Sequence, residues 1–163
     1  MLKSTAVFVR RCLAAAVLLL CLVPAAHASS ALPVVGPAEV HALLTRLHRP
    51  VMLVYWASWC GPCSEYRETR LIPIAANYGK DIVMIGISVD TDAAAAEQYA
   101  SAHPMPYLPL LASPELRSGL RIPSIPTTVL YDAEGKELDV LVGCVPYGRV
   151  EEQVKAAIAG ARR

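Results

Sequence analysis

The stretch Val51-Met52-Leu53-Val54-Tyr55-Trp56-Ala57-Ser58-Trp59-Cys60-Gly61-Pro62-Cys63 decides the fold of this chain. Its first half is an almost unbroken apolar run, which suits a strand buried on both faces of a sheet covered by helices. Its second half sets a C-x-x-C pair where that strand gives way to a helix. A helix N-terminus carries unpaired N–H groups and partial positive charge, and so favours thiolate over thiol. Cys60, at that end, is expected to be the exposed nucleophile. Cys63, one turn inside, is placed to attack a mixed disulfide formed on Cys60. Pro62 fits the first helical turn, where its missing N–H costs nothing, and Gly61 leaves room for a partner's backbone.

Other readings of the pair are open from the residues alone. Half of a zinc site is one, but no second C-x-x-C follows, and His41, His48 and His103 are scattered. Two soft thiolates could hold Cu(I), with Met105 a distant third donor. A purely structural disulfide would close too short a loop to constrain much of the unfolded chain.

Outward from this centre, Pro37 opens an amphipathic helix at about 38–48, with Val40, Leu43, Leu44 and Leu47 at helical spacing. Residues 29–37 read as a linker or a short first strand. The helix after Cys63 should kink or end at Pro73. Residues 82–87 form a second apolar strand, and Asp92 is a plausible N-cap for a helix to Ala102. The stretch 103–126 carries six prolines and should be mostly loop, with an extended piece near 108–111 and a short helix near 114–120. Thr127–Tyr131 and Glu137–Val142 flank Asp132-Ala133-Glu134-Gly135 as a hairpin, and a last helix runs over about 148–159. Strands alternating with helices, then a hairpin and a closing helix, indicate an α/β sandwich with a mixed sheet.

The N-terminus has a separate character. Lys3, Arg10 and Arg11 precede an apolar run from Leu13 to Val23, then Pro24 and Ala26-His27-Ala28, the pattern of a secretory signal peptide. Cleavage after Ala28 is expected, leaving 29–163 as one domain; an uncleaved leader would act as a membrane anchor. Leu18-Leu19-Leu20-Cys21 superficially suggests a lipoprotein, but the bulky Leu20 argues against processing there. The leader holds three cations and no acids, so residues 29–163 carry 12 basic and 14 acidic side chains. With no basic stripe, nothing favours nucleic acid. Cys12 and Cys21 leave with the leader, so the mature chain keeps one working pair and the odd thiol Cys144. Export places the pair where disulfides persist.

Trp56-Ala57-Ser58-Trp59-Cys60-Gly61-Pro62-Cys63 resembles the thioredoxin active-site signature, and Ile125-Pro126-Thr127 before a strand resembles that family's cis-proline element. The resemblance covers most of residues 38–160. It implies a thioredoxin fold, an α/β architecture with a central mixed sheet flanked by helices, and a cis peptide at Pro126, with Pro123 the competing candidate. The leader, the long stretch before Pro126 and Thr127-Thr128-Val129-Leu130-Tyr131-Asp132 are similar to the exported TlpA/ResA/DsbE-like group. That likeness implies a periplasmic thiol–disulfide oxidoreductase that reduces protein disulfides, with apocytochromes or copper-site proteins as substrates in cytochrome c maturation. Electrons would come from a membrane donor of the DsbD/CcdA type. The redox-active Cys60–Cys63 disulfide would need no cofactor and no metal. Ile125 and Pro126 would form a lip on which an extended substrate pairs, with Trp59, Gly61 and Pro62 also meeting substrate, while Tyr55 and Trp56 pack in the core.

The departures bear on mechanism. Thioredoxins bury an Asp where this chain has Val54, and its Lys partner would fall near Gly86. The ResA-like group often has a Glu where this chain has Tyr66. Glu65 is one residue off, about 100° round the helix, and reads as solvated, as does Glu68, which replaces an expected proline. Cys144 reads either as a small apolar filler or as a third site thiol touching substrate or a soft metal. The alternatives to the reductase are a Cu(I)-binding metallochaperone and a disulfide oxidase or isomerase.

Overall fold

The structure, a computed structural model, describes residues 31–161. The expected leader 1–28, with Cys12 and Cys21, lies outside the described residues.

Six strands form one sheet: β1 (Val34–Val35), β2 (Val51–Trp56), β3 (Val83–Ser88), β4 (Leu108–Ala112), β5 (Thr127–Tyr131) and β6 (Glu137–Val142), in the spatial order β1-β4-β3-β2-β5-β6. The first four run parallel to one another, β5 pairs antiparallel with β2, and β6 pairs antiparallel with β5. The helices are α1 (Pro37–Arg46), α2 (Gly61–Tyr66), α3 (Ile72–Tyr78), α4 (Ala93–Ala102), α5 (Pro114–Gly119) and α6 (Tyr147–Ala161).

β2 is the centre of the sheet, and every one of its residues is buried. Met52, Val54 and Trp56 point to the face shared with Cys63, Tyr66, Leu71, Ile74, Val150 and Val154, under α2, α3 and α6. Val51, Leu53 and Tyr55 point to the other face, against Val40 and Leu44 of α1 and Leu116 of α5. Each large apolar side chain so buried contributes roughly 1.5–3 kcal/mol. Two covered faces explain why the strand lacks the polar alternation of a half-exposed one.

Local chemistry sets the element ends. Asp92 caps α4, its Oδ1 accepting from Ala94 N–H at 3.0 Å. Ser113 caps α5 through Leu116 N–H at 3.0 Å. In the β5–β6 turn Asp132 Oδ1 accepts from the N–H groups of Glu134 and Lys136, and Gly135 takes φ +80°. The prolines of 103–126 are thus compatible with a strand and a short helix: Pro109 lies in β4 and Pro114 opens α5.

Of the two outcomes expected at Pro73, a kink or an end, the structure excludes the end. The helix that starts at Gly61 is not ended there, because a π-helical stretch, Arg67–Leu71, links α2 to α3. Ile72 N–H bonds to Arg67 O, one residue further back than in an α-helix. Pro73 then falls in the first turn of α3, where a missing N–H is tolerated. The wide turn also buries Arg67, whose Nη1 donates to Pro104 O at 3.0 Å and whose Nη2 pairs with Glu68 at 2.9 Å. Glu68 is exposed, as its sequence reading requires, and so is Glu65.

Candidate active site

The site forms at the carboxyl end of β2, where open α/β sheets place their ligands. Cys60 is the N-cap of α2, with extended backbone angles, and Pro62 lies in the first turn. Cys60 and Cys63 are joined in a disulfide, their Cα atoms 5.2 Å apart. The Cys60 sulfur accepts from Cys63 N–H at 3.1 Å. This is the contact by which a helix N-terminus stabilises a sulfur anion.

Cys60 is not exposed in this state, contrary to the reading from sequence: it and Cys63 are each 6% accessible. The disulfide turns the Cys60 sulfur inward, and the Ile125 carbonyl covers it at 3.9 Å. Ile125–Pro126 is the cis peptide bond of the described chain, as the resemblance implied, and the competing Pro123 is trans. The loop is tied down from two sides. Thr127 Oγ1 donates to Ser124 O at 2.6 Å, and Gly143 N–H donates to Pro126 O at 2.8 Å. Gly61 and Pro62 are exposed, and the space above Gly61 is open where a side chain would stand.

Trp59 is 70% exposed, whereas Trp56 and Tyr55 are buried. Trp59 forms one side of an open groove of about 320 Å³ that includes Val89, Leu120, Ile122 and Ile125. The groove therefore begins at the cis-proline loop and extends toward the residues after α5.

Val54 pairs with Gly86 on one side and Thr128 on the other, which places all three at the depth expected for the missing acid and lysine. Tyr107 occupies the space a residue-86 side chain would need, its ring standing where a Cβ on Gly86 would project. Beneath Cys63 the Tyr66 hydroxyl meets Thr128 Oγ1 at 3.2 Å. Burial, first, and the neighbouring Cys144 raise the Tyr66 phenol above its ordinary value, against the Thr128 hydrogen bond and Arg70.

Cys144 is exposed and is not an apolar filler. Gly143, at φ +78°, turns the chain as it leaves β6, and the Cys144 thiol comes out 3.3 Å from Pro62 O. Loss of solvent, chiefly, and the Glu65 carboxylate hold this thiol above its ordinary value, with Arg70 acting the other way. Met105 lines a cleft with Arg49, Ile82 and Met84. Among the described residues no group of three or more His, Cys, Asp or Glu side chains is arranged to hold a metal ion.

Sequence reading passed over Asp90, Ser58 and Arg117, which meet beside the Cys60 loop. The available signal was position: an Asp just past the carboxyl end of a central parallel strand faces the ligand edge of the sheet.

A family model described as "Thioredoxin-like domain" matches residues 41–158. The thioredoxin of Griffithsia pacifica is 28% identical over 106 residues, 65% of this chain and 76% of that protein. The thiol:disulfide interchange protein DsbD of Pectobacterium atrosepticum is 29% identical over 107 residues, 65% of this chain but only 16% of that protein. Among solved structures, a putative thiol:disulfide interchange protein DsbE from Chlorobium tepidum superimposes with a TM-score of 0.60 at 25% identity, over 72% of this chain and 84% of that one. The chain belongs to the thioredoxin-like family, and its Cys60–Cys63 pair makes it a thiol–disulfide oxidoreductase of the DsbE type.

Proposed function

We propose that the protein is exported to the periplasm and there reduces the disulfides of other proteins. In each cycle the Cys60 thiolate attacks one sulfur of a substrate disulfide, and the other sulfur leaves and takes a proton. Cys63, as thiolate, then attacks the Cys60 sulfur, releases the second substrate thiol and closes the Cys60–Cys63 disulfide. Two electrons have passed to substrate, and a donor dithiol must reopen the pair.

One observation carries the reducing direction. The bond to the Cys60 sulfur comes from the backbone N–H of Cys63, and Gly61-Pro62 adds no side-chain donor. Strong oxidants of this kind are strong because the reduced form is specially stabilised, and a sulfur held by backbone alone is not. The likeness to a DsbE-type structure and to part of a DsbD protein supports the exported setting and a membrane donor of the DsbD/CcdA type. Apocytochromes or copper-site proteins, as in cytochrome c maturation, are the substrates this reading favours. Residues 1–28 would be the leader, removed on export or retained as an anchor. Ile125 and Pro126 would pair with an extended substrate segment in the manner of strand addition, while Trp59, Gly61 and Pro62 frame the entering disulfide.

Trapping in whole cells tests the reading. Cys63→Ser should accumulate mixed disulfides between Cys60 and exported proteins that carry cysteine pairs. The adducts should vanish in Cys60→Ser/Cys63→Ser. Adducts that persist without Cys60, or none at all, would sink it.

A further inference from the structure

Asp90 is 2% exposed, just beyond the end of β3, and nothing in the exchange chemistry uses it. Its carboxylate gathers three donors: Ser58 N–H at 2.9 Å, Ser58 Oγ at 2.7 Å and Ser88 Oγ at 2.6 Å. Its own N–H donates back to Ser88 Oγ at 3.0 Å, which locks it to the strand. Its carbonyl accepts from Arg117 Nη1 at 3.2 Å, and the same nitrogen donates to Ala112 O. A buried carboxylate without donors is costly, so the residue holds its partners as firmly as they hold it.

Those partners carry the two sides of the groove. Ser58 precedes Trp59, the exposed wall, and Arg117 belongs to the α5 side, near Leu120 and Ile122. Cys60 has anchors of its own: its N–H bonds to Ala57 O at 3.2 Å, and its carbonyl accepts from Cys63 N–H at 3.1 Å and Ser64 N–H at 3.3 Å. The chemistry and the groove are therefore secured by separate sets of bonds.

We propose that Asp90 is a positioning residue that sets the Trp59 wall of the groove against the α5 side, and so governs the binding of polypeptide disulfides rather than the exchange step. The inference rests on the reading of the groove as the seat of an extended substrate. Loosening Ser58 frees Trp59 to wander but leaves Cys60 in place. A small disulfide, which has no side chains to lay in the groove, should not register the change.

The test compares insulin with hydroxyethyl disulfide as oxidised substrates, with dithiothreitol recycling the enzyme. Wild type should show a much lower KM for insulin. Ser58→Ala and Asp90→Asn should raise the insulin KM about tenfold with kcat little changed. Their kcat/KM on hydroxyethyl disulfide should stay within about twofold, and Ser58→Thr, which keeps the hydroxyl, should match wild type on both. Should Asp90→Asn fail to fold, Ser58→Ala decides alone. An unmoved insulin KM, or equal losses on the two disulfides, would overturn the role of Asp90. A wild type with no preference for insulin would instead overturn the groove reading, and Asp90 with it.

Discussion

The Tyr66 hydroxyl and Thr128 Oγ1 lie 3.2 Å apart in the buried space below Cys63. Tyr66 shares a helix face with Cys63, and Thr128 pairs with Val54 across the sheet, so two neutral hydroxyls stand where related sites bury a carboxylate. Removing either hydroxyl leaves the other buried and unpaired. Tyr66→Phe and Thr128→Val should each destabilise the fold by about 1–3 kcal/mol, and the double variant should lose much less than their sum. Urea unfolding of the four proteins checks this. Additive losses would mean that the pair is not coupled.

The neighbouring strand position gives a second test. A methyl at residue 86 would fall inside the Tyr107 ring. Tyr107 is itself buried, packed at 6.4 Å from the Trp56 ring, and has little room to retreat. Gly86→Ala should cost about 1–3 kcal/mol through overpacking, and trimming the ring in Gly86→Ala/Tyr107→Leu should recover part of it. Thermal unfolding reads the outcome; a Gly86→Ala protein as stable as wild type would contradict the packing.

Alkaline pH should weaken the fold through its buried phenols. Tyr55 is pushed up to about 12 by burial, first, and then by Tyr131 and Glu137. In the unfolded chain a tyrosine titrates near about 10. Its contribution is therefore complete below that pH and is lost as pH rises toward the folded value, because the unfolded chain releases the proton first. Tyr66, Tyr107 and Tyr131 are raised in the same direction, each chiefly by burial. Between pH 8 and 11 wild type should lose on the order of 1 kcal/mol more than Tyr55→Phe. Urea midpoints at the two pH values measure it, and parallel losses would count against the burial of this phenol.

Cys144 should be alkylated in the oxidised, folded protein, with its peptide carrying the label. Its rate should climb with pH to a midpoint above the ordinary thiol value of about 8.5. Glu65→Gln should lower that midpoint and Arg70→Ala should raise it, since the carboxylate and the guanidinium act in those opposite senses. A Cys144 that resists labelling until the protein unfolds would restore the filler reading.

What the sequence made legible was local. The hairpin strands fall at Thr127–Tyr131 and Glu137–Val142 as expected, because β-branched residues and an Asp-to-Gly turn are written in neighbouring residues. The buried β2, the Asp92 cap and the C-x-x-C at a helix start are legible for the same reason. The cis bond at Pro126 came from resemblance rather than composition. Features that depend on distant contacts were not legible. The burial of Cys60 depends on Ile125, 65 residues away, and the role of Asp90 depends on Ser58 and Arg117. The π-helical stretch that carries the helix past Pro73 is set by tertiary packing, which no short-range pattern encodes.

The reduction potential of the Cys60–Cys63 disulfide tests the central claim most directly. Equilibration of the protein with dithiothreitol and glutathione buffers, read as the fraction of oxidised pair, gives it without knowledge of any substrate. A Cys60 sulfur held by a backbone N–H, with no side-chain donor in Gly61-Pro62, predicts a value at the reducing end of the roughly −270 to −120 mV range of such proteins. A value near about −120 mV would contradict the account and identify an oxidant.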